Sequence, residues 1–196
     1  MAVSELKSRR KVMIVTESDS YFQIISSILP KTDFFPIFHA KSGNDARRKM
    51  LELPVDILIV DSPLTDEHGV LFAKSYADSN MGILLMVQNE LYENTCAEVE
   101  QYGIVTLPKP NSPEMFYMAM RLLSAMTFKL QKIEDEKKSL EDKMKDIRII
   151  NKAKWVLIEN EKMTEAEAHK YIEKMAMDKR KGRREIAEEI IERYEY

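Results

Sequence analysis

The chain has 196 residues, of which 44% are hydrophobic and 32% are charged, and its formal net charge is −3. This hydrophobic content suffices for a real core, whereas a single cysteine, Cys96, excludes a disulfide framework and a cysteine-based zinc site. No apolar stretch approaches the roughly 20 residues of a membrane helix. We therefore expect a cytoplasmic protein without a membrane partner. The first residues lead directly into a strand-like segment and do not predict a signal peptide.

The first 126 residues alternate short apolar runs with amphipathic stretches, a pattern typical of an α/β domain. Strands are predicted at 12–15, 37–40, 57–60, 83–87 and 104–107, and helices at 21–29, 45–51, 70–76 and 91–101. The consecutive apolar residues of each strand indicate burial on both faces of a parallel sheet. We expect a flavodoxin-like, five-stranded, doubly wound domain. A site in such a domain lies beyond the carboxyl ends of the strands.

A long helix is predicted after this domain. Ser112 suits its N-cap and Pro113 its first position. From residue 123 the apolar residues follow alternating steps of three and four, with Lys137 in one position: Leu123, Met126, Leu130, Ile133, Lys137, Leu140, Met144 and Ile147. This heptad predicts that residues 112–147 are a helix continuing into a coiled-coil linker, which would make the protein a homodimer. The alternative, a single amphipathic helix packed on its own domain, is disfavoured by the polar flanking positions.

A compact unit of three helices is predicted at residues 147–196. The apolar positions widen beyond residue 147, as in a helix that enters a small core. Thr164 and Glu167 have the spacing of a capping box that opens a second helix. Gly182 interrupts the chain, and the third helix follows with Ile186 and Ile190 on one face.

Three polar residues follow strands of the predicted sheet. Glu17 comes after the first strand, Asp61 ends the third, and Lys109 follows the fifth. Because the carboxyl ends of parallel strands meet at one edge of a sheet, we expect these side chains to converge. Two carboxylates and a lysine can hold Mg²⁺ and accept a phosphoryl group. Each residue alone would more often be a helix cap or a surface charge.

Residues 11–125 resemble a response-regulator receiver domain. The resemblance rests on the loop at 59–69, IVDSPLTDEHG, and on Lys109-Pro110, where the family's peptide bond is usually cis. It implies that Asp61 is the phosphoacceptor, that Glu17 and Asp61 bind Mg²⁺, and that Lys109 and Gln88 contact the phosphoryl group. A sensor histidine kinase is the partner that it implies.

The sequence departs from the receiver pattern at four positions. Thr16 replaces the first of two adjacent acids, which weakens the Mg²⁺ site. Gln88 stands where a switch Ser or Thr is usual, Asn89 replaces a small residue, and Thr106 replaces an aromatic one. Two hypotheses therefore stay open: phosphorylation of Asp61, or a degenerate receiver that a partner protein or a ligand controls.

Residues 147–191 resemble the ANTAR domain, a three-helix module that binds antiterminator RNA. The resemblance rests on the segments 150–154, INKAK, and 163–168, MTEAEA, and on Ile186-Ala187. It implies that the tail binds hairpin RNA of a leader transcript, where Lys and Arg neutralise phosphates. Between Lys170 and Arg184 the chain has seven basic residues against two acidic ones. The candidate RNA-binding residues are Lys154, Lys179, Arg180, Lys181, Arg183 and Arg184.

Trp155 occupies a position where the ANTAR family usually has Gly. Packing between helices is the favoured interpretation of this side chain, and stacking on a nucleobase is the alternative.

The sequence as a whole predicts a non-enzymatic, dimeric response regulator that binds RNA and allows transcription to continue. Two other functions compete with this one. A DNA-binding regulator would use the tail as a helix-turn-helix, although Glu185, Glu188 and Glu189 in the last helix would repel DNA phosphates. A protein-interaction scaffold would bind no nucleic acid.

Overall fold

A computed structural model of the protein describes residues 9–194. Five parallel strands form one sheet in the order β2-β1-β3-β4-β5. The strands are β1 (Arg10–Val15), β2 (Phe34–Ala40), β3 (Ile57–Asp61), β4 (Gly82–Gln88) and β5 (Val105–Lys109). The central runs of β1, β3 and β4 are almost wholly buried, as the consecutive apolar residues predict. Pro36 interrupts β2, which tolerates it because β2 is an edge strand.

Helices cover both faces of the sheet. The first four are α1 (Asp19–Ile28), α2 (Gly43–Met50), α3 (Gly69–Lys74) and α4 (Tyr92–Val99). One apolar core holds Ile25 of α1 together with Phe116 and Met120 of the long helix that follows β5. A second core holds Ala46, Phe72 and Val99, from α2, α3 and α4. The doubly wound, five-stranded fold is therefore confirmed.

The chain divides into two compact units, one up to Lys132 and one from Ile133. Helix α5 (Pro113–Glu161) begins in the first unit and ends in the second. Among the described residues, no helix is both long and apolar enough to cross a membrane.

The second unit is built from the end of α5, α6 (Glu165–Lys179) and α7 (Arg183–Tyr194). Its core contains Ala153 and Leu157 of α5, Ile172 of α6, and Ile186 and Ile190 of α7. The predicted capping box opens α6: the Thr164 hydroxyl accepts the Glu167 amide at 3.3 Å, and the Glu167 carboxylate accepts the Thr164 amide at 2.8 Å. The prediction of three helices is thus confirmed.

The predicted heptad needs one correction. Leu123 is buried in the core of the first unit, against α1 and the sheet, so it is not part of an exposed seam. Heptad spacing cannot distinguish a residue that packs on its own domain from one that packs on a second chain. The remaining apolar heptad positions are exposed along α5: Met126, Leu130, Ile133, Leu140, Met144 and Ile147.

Candidate functional site

The predicted site forms at the carboxyl edge of the sheet around Asp61. This residue ends β3, and the ammonium of Lys109 at the end of β5 donates to its Oδ1 at 2.5 Å. Lys109 also donates to the backbone carbonyl of Ser62 at 2.7 Å. The Lys109-Pro110 peptide bond is cis. The structure therefore brings together two of the three residues that the sequence singled out.

Thr16 completes the surroundings of Asp61. It is buried directly after β1, and its hydroxyl donates to Asp61 Oδ2 at 2.7 Å. The two carboxylate oxygens of Asp61 thus accept hydrogen bonds from two different side chains, Lys109 and Thr16. The sequence indicated Thr16 only as the residue that replaces an acid of the receiver pattern. No spacing pattern in the sequence predicts that its hydroxyl faces a carboxylate.

The other predicted contacts lie at the rim of this site. Glu17 is exposed, and Gln88 is an exposed residue opposite Lys109 in the β4–β5 register. The described residues contain no group of three or more His, Cys, Asp or Glu side chains able to hold a metal ion. Mg²⁺ is usually bound through one or two carboxylates and several waters. The buried part of this site offers one carboxylate, Asp61, which already accepts two hydrogen bonds, and the exposed Glu17 is the second acid that the sequence predicts as a ligand.

A second layer of side chains surrounds Thr16 and Asp61. His39 Nε2 lies 2.9 Å from the Thr16 carbonyl oxygen, and the His39 ring stacks on Phe22 with centroids 4.2 Å apart. The Tyr21 hydroxyl lies 3.7 Å from the Met86 sulfur. Burial, together with the negative charge of Asp61, raises the pKa of Tyr21 to about 12, so this phenol stays protonated beside the site.

Two acidic residues fasten the β3–α3 loop to helix α2. The Asp66 carboxylate accepts the backbone amides of Gly43 and Asn44, each at 2.9 Å, and these bonds lower the pKa of Asp66. Glu67 forms a two-pronged ion pair with Arg47, which raises the pKa of Arg47. The loop that follows Asp61 is therefore held at two points, a feature that its sequence alone did not indicate.

Thr106 occupies the position where receivers usually have an aromatic residue. It is buried in β5, and its hydroxyl has no hydrogen-bond partner within the described part of the chain. A threonine side chain is too short to rotate from a buried to an exposed position as an aromatic ring can. A side-chain rotation at this position therefore cannot report a change at Asp61.

The candidate RNA-binding residues lie in the second unit. Five of them cluster at the turn between α6 and α7: Lys179, Arg180, Lys181, Arg183 and Arg184. Lys154 lies on α5 instead, where its ammonium pairs with Glu165 at 3.1 Å. Arg180 caps α6 in the left-handed conformation, with φ 53°, and is exposed.

Most cations of this turn form ion pairs with acids of the same unit. Lys179 and Lys181 both bind Glu189, at 2.6 and 2.5 Å. Arg183 pairs with Glu173 at 3.3 Å. The hydrogen bonds from the two lysines lower the pKa of Glu189 to about 2. Exposed ion pairs of this kind are weak because solvent screens them, so a phosphate can compete for the same cations.

Arg184 joins two elements of the second unit. Its guanidinium binds Glu188 at 2.9 Å and Asp146 of α5 at 3.0 Å, and the Glu188 bond is the larger cause of its raised pKa. The charge of the basic turn is therefore partly neutralised, which the count of cations in the sequence did not reveal.

Trp155 lies on the outside of α5. It is 65% exposed, so the favoured prediction that it packs between helices is wrong. The buried face of α5 belongs to Ala153 and Leu157, and each is two residues, roughly 200° around the helix, from Trp155.

Comparisons with known proteins give a family match for the second unit and a fold for the first. Residues 138–191 match the model of the ANTAR domain family. The chain is 21% identical over 184 residues to the transcriptional regulatory protein PdtaR of Mycobacterium tuberculosis, covering 93% of this chain and 90% of that protein.

The first unit has relatives among solved structures. The chemotaxis response regulator CheY4 of Vibrio cholerae superposes with a TM-score of 0.52 at 23% identity, covering 59% of this chain and 99% of that one. The receiver domain of an HD domain-containing protein from Pseudomonas fluorescens gives a TM-score of 0.58 at 15% identity, covering 67% of this chain and 98% of that one. These likenesses establish the fold. The chain therefore carries an ANTAR domain at residues 138–191, preceded by a domain with the fold of a response-regulator receiver.

Proposed function

We propose that the protein is a transcription antitermination regulator whose ANTAR domain binds hairpin RNA in a leader transcript. The match of residues 138–191 to the ANTAR family is the observation that carries this proposal. The transcriptional regulatory role of PdtaR, which aligns along nearly the whole chain, supports it. Binding would stabilise an antiterminator hairpin and let RNA polymerase continue. The role is regulatory, and no step of it needs an enzymatic activity.

The basic turn between α6 and α7 supplies cations for RNA phosphates. Arg180 is exposed at the tip, and Lys179, Lys181, Arg183 and Arg184 are held in exposed ion pairs. Phosphate oxygens can replace surface carboxylates because such pairs are weak. Lys154 is the least exposed of the predicted contacts, so we give it a supporting role beside Glu165.

The exposed stripe on α5 supports a homodimer. Leu130, Ile133, Leu140 and Met144 are all more than half exposed in the single chain and recur at coiled-coil spacing. A parallel pair of helices would bury them and place two ANTAR domains on one RNA. Two linked domains on two neighbouring hairpins gain affinity through effective concentration.

Two hypotheses describe the input at the first unit. Phosphorylation of Asp61 by a sensor histidine kinase, with Mg²⁺ at Glu17 and Asp61, stays a prediction. The hydrogen bonds of Thr16 and Lys109 to Asp61 favour the second hypothesis, in which a partner protein or a ligand controls the unit. In this arrangement both oxygens of the Asp61 carboxylate accept hydrogen bonds, so a cation would compete with Thr16 and Lys109 for them.

Fluorescence anisotropy of labelled nucleic acids tests the RNA-binding proposal. The full chain is titrated into RNA hairpins with a randomised loop, and into duplex DNA of matched length, at several salt concentrations. We expect tighter binding to the hairpins. Replacing both Arg183 and Arg184 by Ala should weaken hairpin binding and reduce the salt slope by roughly 0.7 to 0.9 for each lost phosphate contact.

Each competing function has its own outcome in this experiment. Preference for duplex DNA would support the DNA-binding regulator, against which the acidic residues Glu185, Glu188 and Glu192 of α7 argue. Absence of binding to either nucleic acid at low salt would support the protein-interaction scaffold. Circular dichroism of the double variant verifies that the helices remain folded.

A further inference from the structure

Helix α6 carries two lysines on its outer face. Lys170 and Lys174 are four residues apart, so they lie one above the other on one side of the helix, and both are exposed. Met177 continues this face by one further turn and is 78% exposed. Ala168 and Ile172, each two residues or roughly 200° from Lys170, are buried in the core of the second unit. The two lysines therefore lie on the side of α6 that is turned away from this core.

The acids closest to Lys170 along α6 are bonded elsewhere. Glu167, three residues before it, belongs to the capping box, where its carboxylate accepts the Thr164 amide at 2.8 Å and the Thr164 hydroxyl at 2.7 Å. Glu173, three residues after it, pairs with Arg183 at 3.3 Å. Each of these carboxylates already has a partner that holds it in place, so neither neutralises the lysine between them.

Lys170 and Lys174 form no ion pair within residues 9–194. Asp178, four residues after Lys174, is exposed and does not pair with it, and a lysine that precedes an acid is the less favourable order at this spacing. By contrast, Lys179 and Lys181 of the α6–α7 turn are both bound to one acid of α7. The α6 face therefore keeps its positive charge, whereas that of the turn is partly neutralised.

Two lysines at this spacing oppose the helix that carries them. Like charges four residues apart repel each other and destabilise a helix. An anion bound between the two ammonium groups would remove this repulsion and interact with both charges at once. Neither lysine would first have to leave a carboxylate, as the cations of the turn must. The face is therefore better prepared for an anion than the turn is.

RNA phosphates are the anions that suit this face best. Both lysines lie within residues 138–191, the segment that matches the ANTAR family. Helix α6 ends at the exposed Arg180, so the two lysines and the basic turn lie along one helix. Consecutive phosphates along a strand present closely spaced negative charges, and two lysines one helical turn apart present closely spaced positive ones.

A protein is a poorer occupant of the α6 face. The exposed apolar stripe of the proposed homodimer belongs to α5, and the lysines of two facing copies would repel each other. A protein partner of another kind would gain most by burying the exposed side chain of Met177, whereas phosphates need only the two cations. Replacing Met177 therefore separates a protein contact from a phosphate contact.

We propose that Lys170 and Lys174 form a phosphate-binding face on α6 that holds the backbone of the hairpin. This inference rests on the proposed RNA-binding function and adds to it a contact surface outside the residues that the sequence predicts. Contacts to phosphates position an RNA without reading its bases. The α6 face would therefore add affinity for hairpins of any loop sequence.

Protection of lysines from acetylation tests this contact on the unaltered chain of 196 residues. The probes are RNA hairpins with a randomised loop, and polyglutamate at the same concentration of charge is the comparison anion. Mass spectrometry measures the reaction at each lysine. We expect the hairpins to slow acetylation of Lys170 and Lys174 several-fold and to leave the exposed Lys138 of α5 unchanged. Equal protection by polyglutamate would show a face for acidic polymers in general and overturn the assignment to RNA.

Variants measure what the face contributes to binding. Replacing Lys170 and Lys174 together by Gln should weaken hairpin binding roughly 10-fold or more at about 0.1 M salt, and lower the salt slope by roughly 1.4 to 1.8. The loss should be similar for every loop sequence. Replacing both by Arg keeps the charges and should preserve the slope. Lys138→Gln with Lys145→Gln removes two charges from α5 and is the matched control, which should leave the slope nearly unchanged. Met177→Ala should bind like the wild type.

The outcomes distinguish this inference from the function on which it rests. If the double Gln variant binds hairpins as tightly as the α5 control variant does, the α6 face is refuted and the RNA-binding function stands, even where the lysines are protected. If Met177→Ala binds much more weakly than the wild type, the contact is not one with phosphates and the inference is wrong. If the wild type binds no hairpin at low salt, both are refuted. Circular dichroism verifies the fold of each variant, and Gln and Lys have similar helix propensities.

Discussion

The Thr16 hydroxyl donates a hydrogen bond of 2.7 Å to Asp61 Oδ2, on the opposite side of the carboxylate from Lys109. Thr16 thus places a hydrogen-bond donor where receivers usually have an acid. A donor compensates the charge of Asp61 directly, whereas an acid would need a cation between the two carboxylates. The replacement of an acid by Thr16 is the clearest physical reason to expect that the first unit is controlled without phosphorylation.

The first prediction concerns Thr16 and Asp61. Thr16→Asp should raise the affinity for Mn²⁺ or Mg²⁺ above that of the wild type, because it adds a carboxylate beside Asp61 at the edge of the sheet. Isothermal titration calorimetry measures the change, with Thr16→Val as the control that removes the hydroxyl without adding a charge. Metal affinity in the wild type equal to that of Thr16→Asp would contradict the interpretation.

Chemical modification gives a second measurement at the same site. With a small acyl phosphate as donor, mass spectrometry should detect little phosphorylation of the wild type and more of Thr16→Asp. Asp61→Asn in the Thr16→Asp background should abolish the label. Complete labelling of the wild type at Asp61 would instead establish the phosphorylation hypothesis.

The second prediction concerns the exposed stripe on α5. Leu140→Glu would bury a charge against its symmetry mate in the proposed coiled coil, at a cost on the order of 3 kcal/mol or more. The variant should sediment as a monomer with its first unit still folded. Lys138→Glu is the control, since residue 138 lies on the opposite side of the helix from residue 140. A Leu140→Glu variant that remains dimeric would place the interface elsewhere.

The third prediction tests how α5 packs on the sheet. A methyl group added at Gly82 would lie 2.7 Å from the Leu123 Cγ and 2.7 Å from the Thr127 Cγ2. We expect Gly82→Ala to lower the free energy of unfolding by about 1–3 kcal/mol, as overpacking does in other cores. Thr127→Ser removes one of the two colliding atoms and should recover part of the loss in the double variant. Urea denaturation measures the free energy of unfolding of the two single variants and the double variant. Strictly additive changes in this free energy would argue against the contact.

The fourth prediction concerns the ion pairs of the basic turn. Glu189→Gln removes the acid that binds Lys179 and Lys181, which makes both lysines available to phosphates. Hairpin affinity should rise at low salt, and the salt slope should steepen by roughly 1.4 to 1.8 if both cations engage the RNA. Glu192→Gln changes the net charge equally without releasing these lysines. Equal gains in the two variants would attribute the effect to net charge alone.

The fifth prediction concerns the titration of the Glu189 carboxylate. Since the two lysines lower the pKa of Glu189 to about 2, this carboxylate should stay ionised far below the ordinary value of 4.5. The unfolded chain takes up this proton near pH 4.5 and the folded chain only near pH 2. The contribution of these ion pairs to stability is therefore present above pH 4.5 and is lost as the pH falls toward 2. Carboxyl carbon shifts in NMR measure the titration, and a midpoint near 4.5 would contradict the pairing.

Much of the fold followed from local patterns in the sequence. The buried runs of β1, β3 and β4 are continuous stretches of apolar residues, and the capping box at Thr164 is a four-residue signal. The convergence of Asp61 and Lys109 followed from one topological rule, because parallel strands end at the same edge. These features depend on near neighbours in the chain or on the order of its elements.

The features that escaped prediction depend on which side chain faces which across the fold. Leu123 has the spacing of a seam but faces the first unit's core, and Trp155 has the character of a core residue but faces outward. The hydrogen bond from Thr16 joins residues 45 positions apart. The pairing of Glu189 with Lys179 and Lys181 depends on how α6 and α7 pack, which the spacing of apolar residues does not specify.

The proposed function depends above all on binding of hairpin RNA by the ANTAR domain. The most direct test is repeated selection with the 196-residue chain from a pool of nucleic acids. The pool contains RNA hairpins with randomised loops, singly and in tandem, together with duplex DNA of random sequence. We expect enrichment of tandem hairpins that share a loop sequence, and loss of this enrichment when Arg183 and Arg184 are both replaced by Ala. Selection of duplex DNA, or a final pool indistinguishable from the starting one, would contradict it.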